Sequence, residues 1–321
     1  PIYNSNCHLE NTKYLVAELD ESDGTINKYK CDIGIISNID FDHCDHFSNL
    51  SEVISSFKDF AANSKKLLLN FDCENTRNNF HADSSWSNVT PNKVAYAIIP
   101  SAINESLTIG KYYENGNFIS NLNIPIPGLH NLSNITAAIA ASRMIGVDLI
   151  EIRNNLKYLK LPKKRFEFRG QIDERNLYDD YAHHPNEIKE TIKLGRLFLK
   201  QKGDNSFQKG RLIAIFQPHR YSRVKQFAKE FAKELSKADV IYVTDIYGAG
   251  ELNKDKINSK IITNMIYKQN KNVIQINDYH EISKNFYELT ERGDLILNMG
   301  AGDCHNFWSI LNNTNNSNDL I

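Results

Sequence analysis

The most constraining feature of this chain is a recurring alternation. Apolar runs of strand length, each closed by polar residues, are separated by longer segments in which apolar residues return with helical period. Tyr14-Leu15-Val16-Ala17 leads into Glu18, Ile33-Gly34-Ile35-Ile36 into Ser37-Asn38, and Lys66-Leu67-Leu68-Leu69 into Asn70. The pattern returns at Leu177-Tyr178 and over residues 212–216, 240–243, 273–276 and 295–298. Near-continuous apolar strands are buried on both faces, and joining them in parallel takes a crossover of helix length. The expected class is α/β: a parallel sheet first, then a Rossmann-like, doubly wound second domain. Residues 93–124 depart from the pattern. They alternate in polarity around turn signals such as Glu114-Asn115-Gly116-Asn117, which predicts antiparallel hairpins appended to the first sheet.

A length of 321 residues predicts two cores. An Ala/Ile-rich helix over 131–144, introduced by Pro127-Gly128, and a second helix over 149–159 close the first of them before Pro162. The basic Lys163-Lys164-Arg165 reads as a linker, giving domains 1–162 and 163–321, and the Asn-rich tail after Leu311 is expected to fray. With 38 Lys and Arg against 39 Asp and Glu, the net charge of −1 provides no basic field for nucleic acid. No run approaches the roughly 18 apolar residues of a membrane span. Cys7, Cys31, Cys44, Cys73 and Cys304 are scattered, with no C-x-x-C pair, which points to a reducing compartment. A cytoplasmic protein with small-molecule ligands is expected, with no nucleic acid partner and no membrane insertion.

In open α/β sheets ligands bind beyond the carboxyl ends of the strands, so the polar residues closing each run are the candidates for chemistry. Two acidic segments follow successive strands: Glu18-Leu19-Asp20-Glu21-Ser22-Asp23 and Asp40-Phe41-Asp42-His43-Cys44-Asp45-His46. One such cluster is more often a solvated turn. Two together suit a hard cation such as Mg²⁺, with an imidazole as a further ligand. The Asp-His pair also suggests half of a binuclear metallohydrolase, but no H-x-H precedes His183-His184 to complete it. After the apolar run 212–216, His219, Arg220 and Arg223 stand together, a set that clamps carboxylate or phosphate by forked hydrogen bonds. Tyr181, His183 and His184 close a neighbouring strand and face the same cleft if both strands share a sheet.

Taken in order, these segments resemble the Mur ligases. The resemblance spans nearly the whole chain: A-E-x-D-E-S-D-G at 17–24, N-I-x-x-D-H-x-D at 38–45, P-G-x-H-N-x-x-N at 127–134, D-D-Y-x-H-H-P at 179–185, F-Q-P-H-R-Y-x-R at 216–223, D-I-Y-x-A-G-E at 245–251 and G-A-G-D at 300–303. Any one could arise by chance; seven in the family's order hardly could. The resemblance implies an ATP-dependent, amide-forming ligase of peptidoglycan biosynthesis. In that chemistry ATP phosphorylates a carboxylate and an amine attacks the acyl phosphate. It implies a P-loop-type ATPase fold for the first domain and an amino-acid-binding second domain. It also implies Glu18 and His43 as Mg²⁺ ligands, and His43, Arg220 and Arg223 as catalytic residues. His130, Asn131 and Asn134 would border the adenine of ATP, Arg165 its phosphates and Asp180 its ribose. Tyr181, His183, His184, His219, Arg220 and Arg223 would surround the substrate. Within the family, residues 216–223 favour the branch that joins L-alanine to UDP-N-acetylmuramate over the recycling branch that attaches a ready-made tripeptide. A homodimer is compatible with the resemblance.

Two departures set further expectations. No G-x-x-x-x-G-K-[ST] phosphate loop occurs, since Gly110-Lys111 is followed by Tyr112 and lacks the first glycine. The family's loop and its nucleotide-sugar domain are expected upstream of Pro1, and the chain alone is expected to fold without ligating. A noncatalytic nucleotide-binding remnant is the other reading of the same gap. Gly248 stands where the family often has proline, which loosens the loop over 245–251.

Overall fold

The computed structural model describes residues 7–8, 13–202 and 210–318. The chain divides between Lys160 and Leu161, ahead of Pro162, into two units.

The first unit is built on one sheet whose strands lie side by side in chain order: β1 (Cys31–Ile36), β2 (Ser64–Asn70), β3 (Ser84–Ser87), β4 (Tyr96–Ile103), β5 (Thr108–Glu114) and β6 (Asn117–Ile124). β1 to β4 run parallel, while β4, β5 and β6 form the antiparallel hairpins read from the alternation. Around them lie α1 (Leu50–Ala62), α2 (Glu74–Asn79), α3 (Leu129–Met144) and α4 (Leu149–Leu156). The period of two along β2 sends Leu67 and Leu69 to a cluster with Val53 and Phe60 of α1. Leu68 points the other way, to Trp86, Ala137 and Ala140. Asn49 caps α1, its side chain accepting from the Glu52 N–H at 3.1 Å.

Two features of this unit differ from the sequence reading. Tyr14-Leu15-Val16-Ala17 forms no strand, and Leu15 and Val16 are 92% and 94% exposed. A strand exists only where a neighbour supplies its ladder; among the described residues β1 is the sheet's edge, and this segment does not pair with it. β3 was not legible because three of its four residues are serine; buried Trp86 alone marks it.

The second unit holds β7 (Glu167–Ile172), β8 (Arg175–Asp180), β9 (Leu212–Phe216), β10 (Val240–Val243), β11 (Val273–Gln275) and β12 (Leu295–Met299), ordered β11-β10-β9-β12-β8-β7. All are parallel except β7, which pairs antiparallel with β8 along the outer edge. Its helices are α5 (Pro185–Lys202), α6 (Tyr221–Leu235), α7 (Lys260–Tyr267), α8 (Tyr279–Lys284), α9 (Phe286–Leu289) and α10 (Phe307–Asn318). Ile213, Ile215 and Ile296 pack into a cluster with Tyr279, Ile282, Phe286, Phe307, Trp308 and Leu311. Leu212 and Leu297 face the opposite side, where a Cβ on Gly195 of α5 would come within 2.8 Å and 3.1 Å of their methyls. Helices therefore cover both faces, as a doubly wound sheet requires. Of the tail expected to fray, the part to Asn318 is helical, with Phe307, Trp308 and Leu311 anchoring the first turns in the core, and residues 319–321 lie outside the described residues. Among the described residues no helix is long and apolar enough to cross a membrane.

Candidate functional site

In the first unit, the loop after β1 carries His43 in the left-handed region, φ 51°, which turns its ring toward the coil before that strand. Nε2 of His43 lies 3.2 Å from Oε1 of Glu21, and donor atoms of Asp20, Glu21 and His43 all fall within 4.8 Å of one another. Hydrogen bonds from Ser22 hold the Asp20 carboxyl below its ordinary range, outweighing its partial burial. Gly24 (φ 69°) closes the acidic turn where any Cβ would come within 2.2 Å of His46 Nε2. Two carboxylates and an imidazole fit part of the shell of a hard divalent cation. Of the expected metal ligands, His43 belongs to this group; Glu18 stands exposed on the same coil and outside it.

The start of α3 carries the next expected set. Gly128 adopts φ 98°, and a Cβ there would press on His130 and Asn131. Asn131 is buried and donates to the Pro127 carbonyl at 2.7 Å, bracing the turn into the helix. His130 is half-buried and Asn134 exposed.

In the second unit the loops beyond the carboxyl ends of β8, β9, β10 and β12 converge. The expected residues at 181–184 and 217–223 share this one sheet end. Tyr181, His183, His219 and Tyr247 form a row of rings, with successive centroids 5.1, 5.7 and 5.7 Å apart; His219 stacks on Tyr247 at 12°. His219 Nδ1 lies 3.2 Å from Nη1 of Arg223, itself 4% exposed. Burial, with His183, Arg223 and Arg220 nearby, pushes the His219 imidazole down to about 4. Arg220 begins α6 with φ 66°, its N–H donating to the Tyr247 carbonyl at 2.8 Å. That is a costly conformation for a residue with a side chain, of the kind that clusters at functional sites. Glu251 secures the same turn by accepting from Ser222 N–H and Oγ at 3.0 and 2.6 Å. His184 packs its ring on Phe227, centroids 5.1 Å apart.

Arg165 and Asp180 lie beside this end. Arg165 Nη1 is 3.3 Å from Glu187 Oε1, and its guanidinium lies over the Tyr181 ring. Asp180 turns inward instead of presenting an open carboxylate to a ribose. It is buried, and its two oxygens accept from the N–H groups of Phe166 and Ala182, each at 2.8 Å. Burial pushes its pKa up to about 6 despite those bonds. Asp180 thus ties the segment bearing Arg165 to the end of β8.

The sequence motifs do not include Glu187, and they contain Tyr247 and Gly302 without assigning either a role. Glu187 sits three residues after His184, a capping spacing that could have drawn notice. Gly302 is required because a Cβ there would meet Gln217 Oε1 and Tyr247 Cγ at 2.6 Å. Tyr247 can therefore lie against the loop after β12 and still stack on His219.

A Mur ligase middle domain matches residues 4–142, and a Mur ligase glutamate ligase domain matches residues 164–302. The UDP-N-acetylmuramate–L-alanine ligase of Prochlorococcus marinus subsp. pastoris (strain CCMP1986 / NIES-2087 / MED4) is 65% identical over 320 residues, covering 99% of this chain and 68% of that one. The chain belongs to the Mur ligase family. Another relative so named, from Synechococcus sp. (strain CC9311), is 40% identical over 97% of this chain and 65% of its own. The chain spans about two thirds of the length of the curated relatives it matches. Among solved structures, the UDP-N-acetylmuramate-alanine ligase of Thermotoga maritima superposes with a TM-score of 0.74 at 23% identity, over 94% of this chain and 63% of that one. The MurF ligase of Thermotoga maritima in complex with ADP gives 0.65 at 17% identity, over 88% and 62%. At such identities these two speak for the Mur ligase fold.

Proposed function

We propose that this Mur ligase chain carries the residues that join L-alanine to the carboxylate of UDP-N-acetylmuramate at the expense of ATP, through an acyl phosphate. The observation that carries the reading is the convergence of His183, His219, Arg220 and Arg223 at one sheet end, in a chain 65% identical to a relative so named. Two arginines, one buried and one held in a strained turn, make a forked donor set for the carboxylate of an amino acid. His219, neutral and donating from Nε2, adds a hydrogen bond to an oxygen without adding charge. Orienting the amine against an acyl phosphate is the work such a fixed set does best.

In the first unit Asp20, Glu21 and His43, with Glu18 on the same coil, are the residues to hold Mg²⁺. When bound, that ion would neutralise charge on the phosphates of ATP. His130, Asn131 and Asn134 are assigned to the adenine and Arg165 to phosphate oxygens. A chimera tests the reading: residues 1–321 replace the matching part of the Prochlorococcus relative, and coupling is followed by release of ADP. Ligation dependent on both L-alanine and UDP-N-acetylmuramate is expected. A folded chimera that hydrolyses or binds ATP without coupling them would overturn it.

A further inference from the structure

Glu187 lies in the first turn of α5. A carboxylate there ordinarily caps the helix, and this one accepts from the N–H groups of His183 at 2.9 Å and His184 at 3.2 Å. Capping leaves two further contacts unexplained. Oε2 is 3.3 Å from Nδ1 of His183, and Oε1 is 3.3 Å from Nη1 of Arg165. The same Nδ1 lies 2.8 Å from the Tyr181 carbonyl oxygen. A carbonyl only accepts. Glu187 is a carboxylate as well: burial alone would raise its pKa, but the His183 ring, the N–H groups it binds and Arg165 outweigh this and lower it. The Tyr181 carbonyl must be met by an N–H, so Nδ1 carries the proton, with the Glu187 carboxylate 3.3 Å beside it. In the neutral ring the lone pair then sits on Nε2.

The neighbouring imidazole is fixed in the opposite sense. A guanidinium only donates, so Nδ1 of His219 must accept from Arg223, and Nε2 of His219 carries its proton. One sheet end thus holds an acceptor nitrogen and a donor nitrogen on rings whose centroids are 5.7 Å apart.

We propose that Glu187 is a positioning residue: beside the Tyr181 carbonyl that holds the Nδ1–H, its carboxylate braces the His183 segment and stabilises the charged ring, so that Nε2 accepts a proton from the ammonium of an amino acid bound at this sheet end. The identity of that ligand rests on the function proposed above; the tautomer does not. In the step, an N–H bond of the ammonium breaks and an Nε2–H bond forms. The freed amine keeps the electron pair, and Glu187 balances the imidazolium until the proton passes to solvent. A carboxylate behind an imidazole stabilising its charged form is a known device for proton transfer. The charged and titratable groups around His183 include Glu187 on α5, Arg165 before β7 and His219 beyond β9.

The test is ¹⁵N nuclear magnetic resonance of the histidine-labelled 321-residue chain, titrated with pH with and without L-alanine. The proposal expects His183 as the Nδ1–H tautomer in the parent chain, an observation that needs no variant. Glu187→Gln keeps an oxygen for the cap but removes the charge, and should lower the His183 midpoint by roughly one pH unit. Glu187→Asp should restore part of that shift. An Nε2–H tautomer in the parent, or an unmoved midpoint in a folded Glu187→Gln, overturns the proposal. If the tautomer and the shift are found but L-alanine leaves the His183 Nε2 resonance unchanged, the amino-acid site fails while the Glu187–His183 relationship stands.

Discussion

Arg223 donates to His219 through a 3.2 Å contact between Nη1 and Nδ1, and this one hydrogen bond decides which ring nitrogen carries the proton of the neutral imidazole. His219 is a neutral donor and not a base. Burial is the larger cause of its low pKa, with His183 next and Arg223 after it. Replacing Arg223 with Gln should therefore move the His219 midpoint only part of the way from about 4 toward the ordinary 6.5. An unmoved midpoint in a proton resonance titration would show that Arg223 does not govern the ring.

Asp180 and His219 should give the stability of the second unit opposing dependences on pH. The buried imidazole binds its proton at about 4 when folded and 6.5 when unfolded, so its contribution is full above 6.5 and is lost as pH falls toward 4. The carboxyl of Asp180 titrates at about 6 when folded and 3.8 when unfolded, so its contribution is full below 3.8 and is lost as pH rises through 6. Urea unfolding at pH 7 and pH 5 separates them. On acidification the parent should gain stability relative to Asp180→Asn and lose it relative to His219→Gln. Differences that stay constant with pH would contradict both assignments.

The acidic coil and His43 should bind a divalent cation in the isolated chain. Electron paramagnetic resonance of Mn²⁺ is the direct probe, with His43→Ala and Glu21→Ala each expected to weaken binding about tenfold through loss of a ligand. In the chimera, Glu18→Ala should lower ligation by about 10²-fold. Mn²⁺ binding that neither His43→Ala nor Glu21→Ala alters would remove the cluster from consideration.

Gly302→Ala should disturb the site through Tyr247. The new methyl would lie 2.6 Å from both Gln217 Oε1 and Tyr247 Cγ, so the ring must leave either the loop or His219. A loss of about 1–3 kcal/mol in stability is expected, together with a changed His219 chemical shift. Full retention of both would mean the contact is slack.

Much of this arrangement was legible in the sequence. The apolar runs at 212–216 and 295–298 became neighbouring parallel strands, and burial on both faces is why those runs lack alternation. The sequence also brought Tyr181 and His183 to the cleft of His219 and Arg223 on the condition that their strands share a sheet, because polar residues closing parallel strands gather at one end. What it missed depended on hydrogen-bond partners that a polarity pattern does not show. The run at 14–17 is apolar enough for a strand but finds no ladder among the described residues, and β7 is an edge strand with polar residues and Gly170. Asp180 looked like a ligand-facing acid, whereas backbone N–H groups of Phe166 and Ala182 claim both its oxygens. Glu187 was hidden by its ordinary capping position.

The central claim, an acyl phosphate made from the muramoyl carboxylate and broken by L-alanine, has a direct isotopic signature. UDP-N-acetylmuramate labelled with ¹⁸O in its carboxylate is incubated with the chimera, Mg-ATP and L-alanine, and the phosphate is analysed by mass spectrometry. The oxygen that attacks ATP must leave with phosphate when the amine displaces it, so each phosphate released should carry a single ¹⁸O from the labelled carboxylate. Amide formed alongside unlabelled phosphate would contradict the account.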